Sequence, residues 1–273
     1  MVRFHLGAPF HTHKSMRKNP KVPRHSVDIS EEDGVRFLHF GSDWIQGAMR
    51  IARPWSLELA YTREMMAGLL LRPAASWPKN ALLIGLGAGS LAKFIYRYLP
   101  NCRTTVVEIN PQVEFVASQY FKLPYDPQRL EVVIGCGADY MLGGTRSFDY
   151  ILVDGFDPEA RTGPLDTLPF YQACRARLTE QGLLAVNLLG RDKTFPASVA
   201  RLGQAFDGRL AVFPSCDSGN TIAFATGGDA VDVSLDDMRA RATQLKTDTR
   251  LNLLPTLTRL QLSHPLPDGR LRI

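Results

Sequence analysis

Three acids of this chain stand where carboxylates can do chemistry. Glu108 closes the apolar run Thr104-Thr-Val-Val-Glu108, Asp154 closes Tyr150-Ile-Leu-Val-Asp154, and Asp157 follows in Gly-Phe-Asp157-Pro. Upstream, Ala81-Leu-Leu-Ile-Gly-Leu-Gly-Ala-Gly89 feeds a buried-strand run into three alternating glycines. Glycines at a strand-to-helix turn let backbone N–H groups and a helix N-terminus approach a ligand. A carboxylate about 20 residues further on meets the ribose hydroxyls of a nucleoside, and Glu108 has that spacing from Gly85, Gly87 and Gly89. Two carboxylates as close in sequence as Asp154 and Asp157 attract a cation, and one can take a proton from an amine nucleophile. The competing readings are a glycine turn chosen for packing, a solvated acid at 108, and Asp157 as a turn former before Pro158. Position 90 is Ser, so the glycine motif lacks the last Gly of GxGxxG.

The elements that must position these residues follow from periodicity. From Asn80 onward strands and helices alternate: strands at 81–85, 104–109, 130–134, 148–153 and 183–189, helices at 89–99, 111–121, 167–179 and 195–206. Two closing β runs, 209–213 and 220–226, are joined by a connection short enough for a hairpin. This order predicts an α/β fold, a mostly parallel Rossmann-like sheet of the S-adenosylmethionine-dependent methyltransferase type with an antiparallel terminal strand. Val35–Phe40 and Trp44–Met49, separated by a Gly41-Ser-Asp43 turn, form a small N-terminal β module. Leu57–Leu71 carries apolar residues at helical spacing. The expected organisation is a basic flexible tail over 1–25, the β module over 26–52, a nucleoside-binding α/β domain over 53–228, and a C-terminal helix (235–245) with a Leu-rich tail over 229–273, read as packing or a subunit contact.

Composition narrows the class. The 45% apolar content is that of a globular chain with a sizeable core. No apolar run approaches the roughly 20 residues that span a bilayer, and the basic, His-rich start lacks a signal peptide's apolar centre. A cytoplasmic address without membrane contact is therefore expected. Much of the net charge of +5 comes from the first 24 residues, which reads as a solvated terminus and not a nucleic-acid arm. Cys102, Cys136, Cys174 and Cys216 are widely scattered with no CxxC, and His5, His11 and His13 lack a completing acid or Cys. No metal site and no disulfide framework is expected.

With these residues in hand, the chain resembles the polyamine aminopropyltransferases, the spermidine synthase family, over roughly residues 27–228. Trp44-Ile-Gln46 is similar to that family's Val-Ile-Gln, and Glu58-Leu-Ala-Tyr-Thr-Arg-Glu-Met65 to its Glu-Phe-x-Tyr-x-Glu-Met. Gly85–Gly89 stands for GGGDG, and Asp154-Gly-Phe-Asp-Pro158 with Thr162-Gly-Pro-Leu165 for the DSSDPxGPA loop, apart from an insertion of Glu-Ala-Arg. The resemblance implies that Gln46, Gly85, Gly87, Gly89, Glu108, Cys136 and Gly137 hold the nucleoside of decarboxylated S-adenosylmethionine, a co-substrate and not a tightly bound cofactor. It implies that Tyr61, Asp154 and Asp157 orient and deprotonate a polyamine such as putrescine. It also implies a homo-oligomer, dimer or tetramer.

The departures are specific. The Asp of GGGDG, which in the family faces the donor's ammonium, is Ala88. The Asp of Gly-Asp-Gly, which meets the adenine amino group, is Cys136, with Asp139 on the following turn as a substitute. The aromatic of Pro-Thr-Tyr-Pro is Cys216. Losing a charged hydrogen-bond partner costs about 1.5–3 kcal/mol. An S-adenosylmethionine-dependent methyltransferase and a nucleoside-binding homologue without turnover are the alternatives to an aminopropyltransferase, with an oxidoreductase behind them.

Overall fold

The protein, seen here as a computed structural model, is described over residues 2–5, 26–42, 44–72, 76–157, 159–216 and 219–273. Asp43 of the predicted turn, Pro158, and Asp217 and Ser218 of the Pro214–Gly219 segment lie outside these residues, as does residue 1 and most of the basic tail, 6–25.

The chain begins with a four-stranded antiparallel sheet: β1 (Val2–His5), β2 (Val27–Glu32), β3 (Val35–Phe40) and β4 (Gly47–Arg50), in that spatial order. β1 places a strand at the start of the stretch expected to be a basic flexible tail over 1–25. Val2–His5 pair in register with Glu31–Asp28, and a four-residue run is too short to declare itself as a strand until the free edge of β2 offers partners. β4 begins at Gly47, so Trp44–Gln46, predicted as strand, is a bend leading into it.

The predicted helix over 57–71 is two short helices, α1 (Ala60–Met65) and α2 (Gly68–Leu71). The hydroxyl of buried Tyr150 donates to the Met65 carbonyl, and Leu69 and Leu70 fall back on i→i+3 bonds to Met66 and Ala67. A Cβ on Gly68 would lie 2.4 Å from that hydroxyl, so glycine is what lets the turn sit against the ring.

The central sheet follows: β5 (Asn80–Ile84), α3 (Ser90–Tyr98), β6 (Arg103–Glu108), α4 (Pro111–Tyr120), β7 (Leu130–Ile134), α5 (Gly137–Gly143), β8 (Phe148–Val153), α6 (Leu168–Ala176), β9 (Leu178–Leu189), α7 (Phe195–Ala205), β10 (Leu210–Val212) and β11 (Asn220–Ala225). The spatial order is β10-β11-β9-β8-β5-β6-β7. Five strands, β5 to β9, run parallel, and β11 lies antiparallel to both β9 and β10. The antiparallel strand sits one place inside the edge, which β10 occupies, and so brings its first residues to the carboxyl edge of β8 and β9. α5 was not foreseen: seven residues with two glycines carry too little periodicity.

Alternation along the strands feeds two cores. Ala81 and Leu83 pack with Phe94 of α3 and Val113 of α4, while Leu82 and Ile84 face Met141 of α5, Phe170 of α6 and Leu202 of α7. The C-terminal segment supplies β12 (Asp232–Ser234), α8 (Leu235–Thr249), α9 (Leu254–Ser263) and β13 (Arg270–Arg272), with β12 and β13 paired antiparallel. Its leucines, Leu251, Leu253, Leu257 and Leu260, join the first core. Among the described residues no helix is long and apolar enough to cross a membrane.

Candidate functional site

The turn after β5 is built on a close approach. Gly85, at φ +96°, donates its N–H to Val107, and an added Cβ would lie 2.1 Å from the Asp154 carbonyl oxygen. Only glycine fits. The next amide, Leu86 N–H, donates to Glu108 Oε2 at 2.9 Å, and Asn110 N–H donates to Oε1 at 2.9 Å. Glu108 is 6% exposed. Burial raises its carboxyl above the ordinary value, and backbone N–H bonds from Asn110, Leu86 and Ile109 hold that rise back. Two fixed donors thus orient the carboxylate while each oxygen keeps acceptor capacity.

β8 and β6 flank β5, so Asp154 and Glu108 stand on either side of the glycine turn. They share one cleft of about 510 Å³. Of the residues expected to act, Tyr61, Asp154, Asp157, Gln46, Gly85, Gly87, Glu108, Cys136 and Gly137 all line it. Tyr61, from α1, hydrogen-bonds the half-buried carboxylate of Asp154. Burial, then the charge of Asp154, pushes the phenol well above its ordinary value, so it stays a donor. Burial likewise lifts the Asp154 carboxyl, with hydrogen bonds from Asn187 and Tyr61 opposing it.

Asp157 is differently engaged. Its Oδ1 accepts the N–H of Glu159 and of Arg161, and its Oδ2 pairs with Arg161 Nε at 2.8 Å. The inserted Glu-Ala-Arg therefore caps this carboxylate with its own arginine, and Arg161 itself borders the cleft.

Several expected residues stand elsewhere. Gly89, at φ +68°, is the residue before α3, and a Cβ there would meet Leu123 Cδ1 at 2.9 Å. It is packed closely against Leu123, beyond the end of α4, and does not line the cleft. Asp139 is exposed on α5 and does not border the cleft either. Ala88 is buried with its Cβ against β4, where a Cβ on Gly47 would come within 2.6 Å of it. Ser90 Oγ donates to the Ala48 carbonyl at 3.1 Å, so the residue that breaks the GxGxxG pattern tethers the β module to the glycine turn.

Two cleft residues were missed. Asn187 of β9 donates from Nδ2 to Asp154 Oδ1 at 2.8 Å, and Asn220, first residue of β11, donates from Nδ2 to Asn187 Oδ1 at 2.9 Å. Asn187 announced itself as the one polar residue in Leu183-Leu-Ala-Val-Asn-Leu-Leu189; Asn220 carried no such signal.

Known proteins resemble this arrangement. The spermine/spermidine synthase domain matches residues 58–188. A polyamine aminopropyltransferase of Neisseria meningitidis serogroup A is 37% identical over 88% of this chain and 90% of its own length. The chain belongs to the spermine/spermidine synthase family. Among solved structures, a spermidine synthase in complex with the transition state analogue AdoDATO covers 88% of this chain and 82% of its own at TM-score 0.67 and 22% identity, a likeness of fold. Human methyltransferase-like protein 13 in complex with SAH covers 70% of this chain and 93% of its own, at TM-score 0.63 and 28% identity. Within the spermine/spermidine synthase family, this member's Ala88 is matched by Gly47: two small residues where β4 meets the glycine turn.

Proposed function

We propose that this family member transfers an aminopropyl group from decarboxylated S-adenosylmethionine to a polyamine such as putrescine. The observation that carries the reading is the pair Glu108 and Asp154, set on either side of one glycine turn in a single cleft with Tyr61 against Asp154. The Neisseria meningitidis relative supports it at 37% identity.

Glu108 takes the ribose hydroxyls, while Gly85, Gly87, Gln46, Cys136 and Gly137 wall the nucleoside. A sulfonium is already activated toward displacement, so the protein has to bring a neutral amine into line with the aminopropyl carbon and keep water out. The amine lone pair forms the C–N bond, the C–S bond breaks, and its electron pair stays on sulfur as methylthioadenosine leaves. The ammonium proton passes to a carboxylate. Asp154 suits that step better than Asp157, because burial raises its basicity whereas Arg161 already occupies Asp157.

A second reading, an S-adenosylmethionine-dependent methyltransferase, is favoured by the likeness to methyltransferase-like protein 13. Calorimetric titration with S-adenosylmethionine, its decarboxylated form and methylthioadenosine, followed by a mass assay on putrescine, separates the two. Preference for the decarboxylated donor with spermidine formed is the expected result. Preference for the carboxylated cofactor without aminopropyl transfer rules it out.

A further inference from the structure

We infer that Asn220 is a positioning residue for Asp154, acting through the amide of Asn187 to fix how that carboxylate meets the acceptor amine. Three neighbouring strands carry the chain of bonds: Asp154 directly follows β8, Asn187 is on β9, and Asn220 starts β11. Asn187 lies opposite Ile222 and Asn220 opposite Leu189, so the two asparagines are diagonal neighbours on one face of the sheet. The antiparallel direction of β11 is what delivers its first residue to the carboxyl edge, where the cleft is.

The polarity of the chain follows from chemistry. A carboxylate only accepts, so the Asn187 amide must turn its NH₂ toward Asp154, which leaves its oxygen facing Asn220. Asn187 is 3% exposed, and a buried amide oxygen without a donor is costly. Asn220 Nδ2 supplies that donor. Without it the buried Asn187 oxygen loses its donor, and the amide loses the contact that holds its NH₂ on the Asp154 carboxylate.

The groups facing Asp154 are Tyr61 from α1 and Asn187 from β9, with the Asp157–Arg161 pair on its own loop and Cys216, before β11, near Tyr61. Among the described residues none of these is a cation held against Asp154, and the hydrogen bonds that favour its charged form come from the neutral Asn187 and Tyr61. The inference rests on the aminopropyl-transfer reading only for the identity of the substrate.

The test is a ¹³C carboxyl NMR titration of Asp154, assigned through Asp154→Asn, in the wild type, Asn220→Ala, Asn220→Asp and Asn220→Gln, beside the pH profile of kcat/KM for putrescine. In Asn220→Ala the Asp154 titration rises by roughly one unit, the acid limb of the profile moves with it, and kcat falls roughly tenfold with the donor KM unchanged. Asn220→Asp shifts it further, because the new carboxylate takes the Asn187 NH₂ for itself, and Asn220→Gln recovers most of the wild-type titration. An Asp154 titration unchanged in both Asn220→Ala and Asn220→Asp overturns the inference. A wild type that forms no spermidine defeats the aminopropyl reading instead, and the NMR comparison still decides the role of Asn220.

Discussion

Leu86 donates its backbone N–H to Glu108 Oε2 at 2.9 Å across 22 positions of sequence. This one bond locks the glycine turn to the end of the neighbouring strand, so the two halves of the proposed nucleoside site are held as a unit. Because Asn110 N–H holds Oε1, both oxygens of Glu108 already face donors.

Glu108→Ala therefore weakens donor binding by at least roughly tenfold, the worth of a charged hydrogen bond. Glu108→Gln does nearly as badly despite its shape, since its NH₂ must confront one of the two N–H groups. Calorimetry with the decarboxylated donor checks both. A Glu108→Gln variant that binds like the wild type contradicts the two-donor geometry.

Asp154→Asn lowers kcat by about a hundredfold or more, the range of a lost general base, and leaves donor affinity near wild type. Asp157→Asn, whose native carboxylate is spent on Arg161 and two backbone N–H groups, falls less. Steady-state kinetics with putrescine measures the ratio, and an inverted order assigns proton removal to Asp157.

Ala88→Asp, which restores the residue of the family pattern, destabilises this protein. Ala88 is 2% exposed and its Cβ packs against Gly47, so a carboxylate there is both overpacked and without a partner, at a cost of about 2–4 kcal/mol. Gly47→Val acts on the same contact from the other side. Urea melts of each variant test it, and unchanged midpoints refute the tight seat of β4 on the glycine turn.

Stability rises with pH from about 7 to about 10.5 through Lys93. This side chain is 1% exposed, donates to the Phe121 carbonyl at 2.7 Å, and burial, with help from Lys122, lowers its pKa from 10.5 to about 7. In that window the unfolded chain binds the proton that the folded chain has released, so raising pH favours the folded state. Urea melts across the window, compared with Lys93→Met, check it. The variant loses this part of the slope, and parallel slopes would exclude Lys93 as the source.

Much of the fold was legible because strands buried on both faces read as continuous apolar runs. β5, β6 and β8 begin and end within a residue or two of the predicted spans, and the acids that close two of them were visible as the first polar residues after such runs. What failed were the places where a distant side chain decides. The helix over 57–71 breaks because Tyr150 claims the Met65 carbonyl. Val2–His5 becomes a strand because β2 has an open edge. Gly89 looked equivalent to Gly85 and Gly87, but the start of α3 turns it away from the cleft and toward Leu123.

The sequence by itself determined the alternation of elements, the glycine turn and the strand-end acids, since periodicity, glycine conformation and polarity are local properties of the chain. Only the tertiary structure decided that Tyr61 and Asn187 converge on Asp154, that Asn220 stands behind Asn187, that Arg161 neutralises Asp157, and that Ala88 faces Gly47 and not the cleft. Apart from the Asp157–Arg161 pair, which lies within one loop, these depend on which elements become neighbours and in what direction the strands run. Strand order is set by the packing of the whole sheet, and no short stretch of residues carries it.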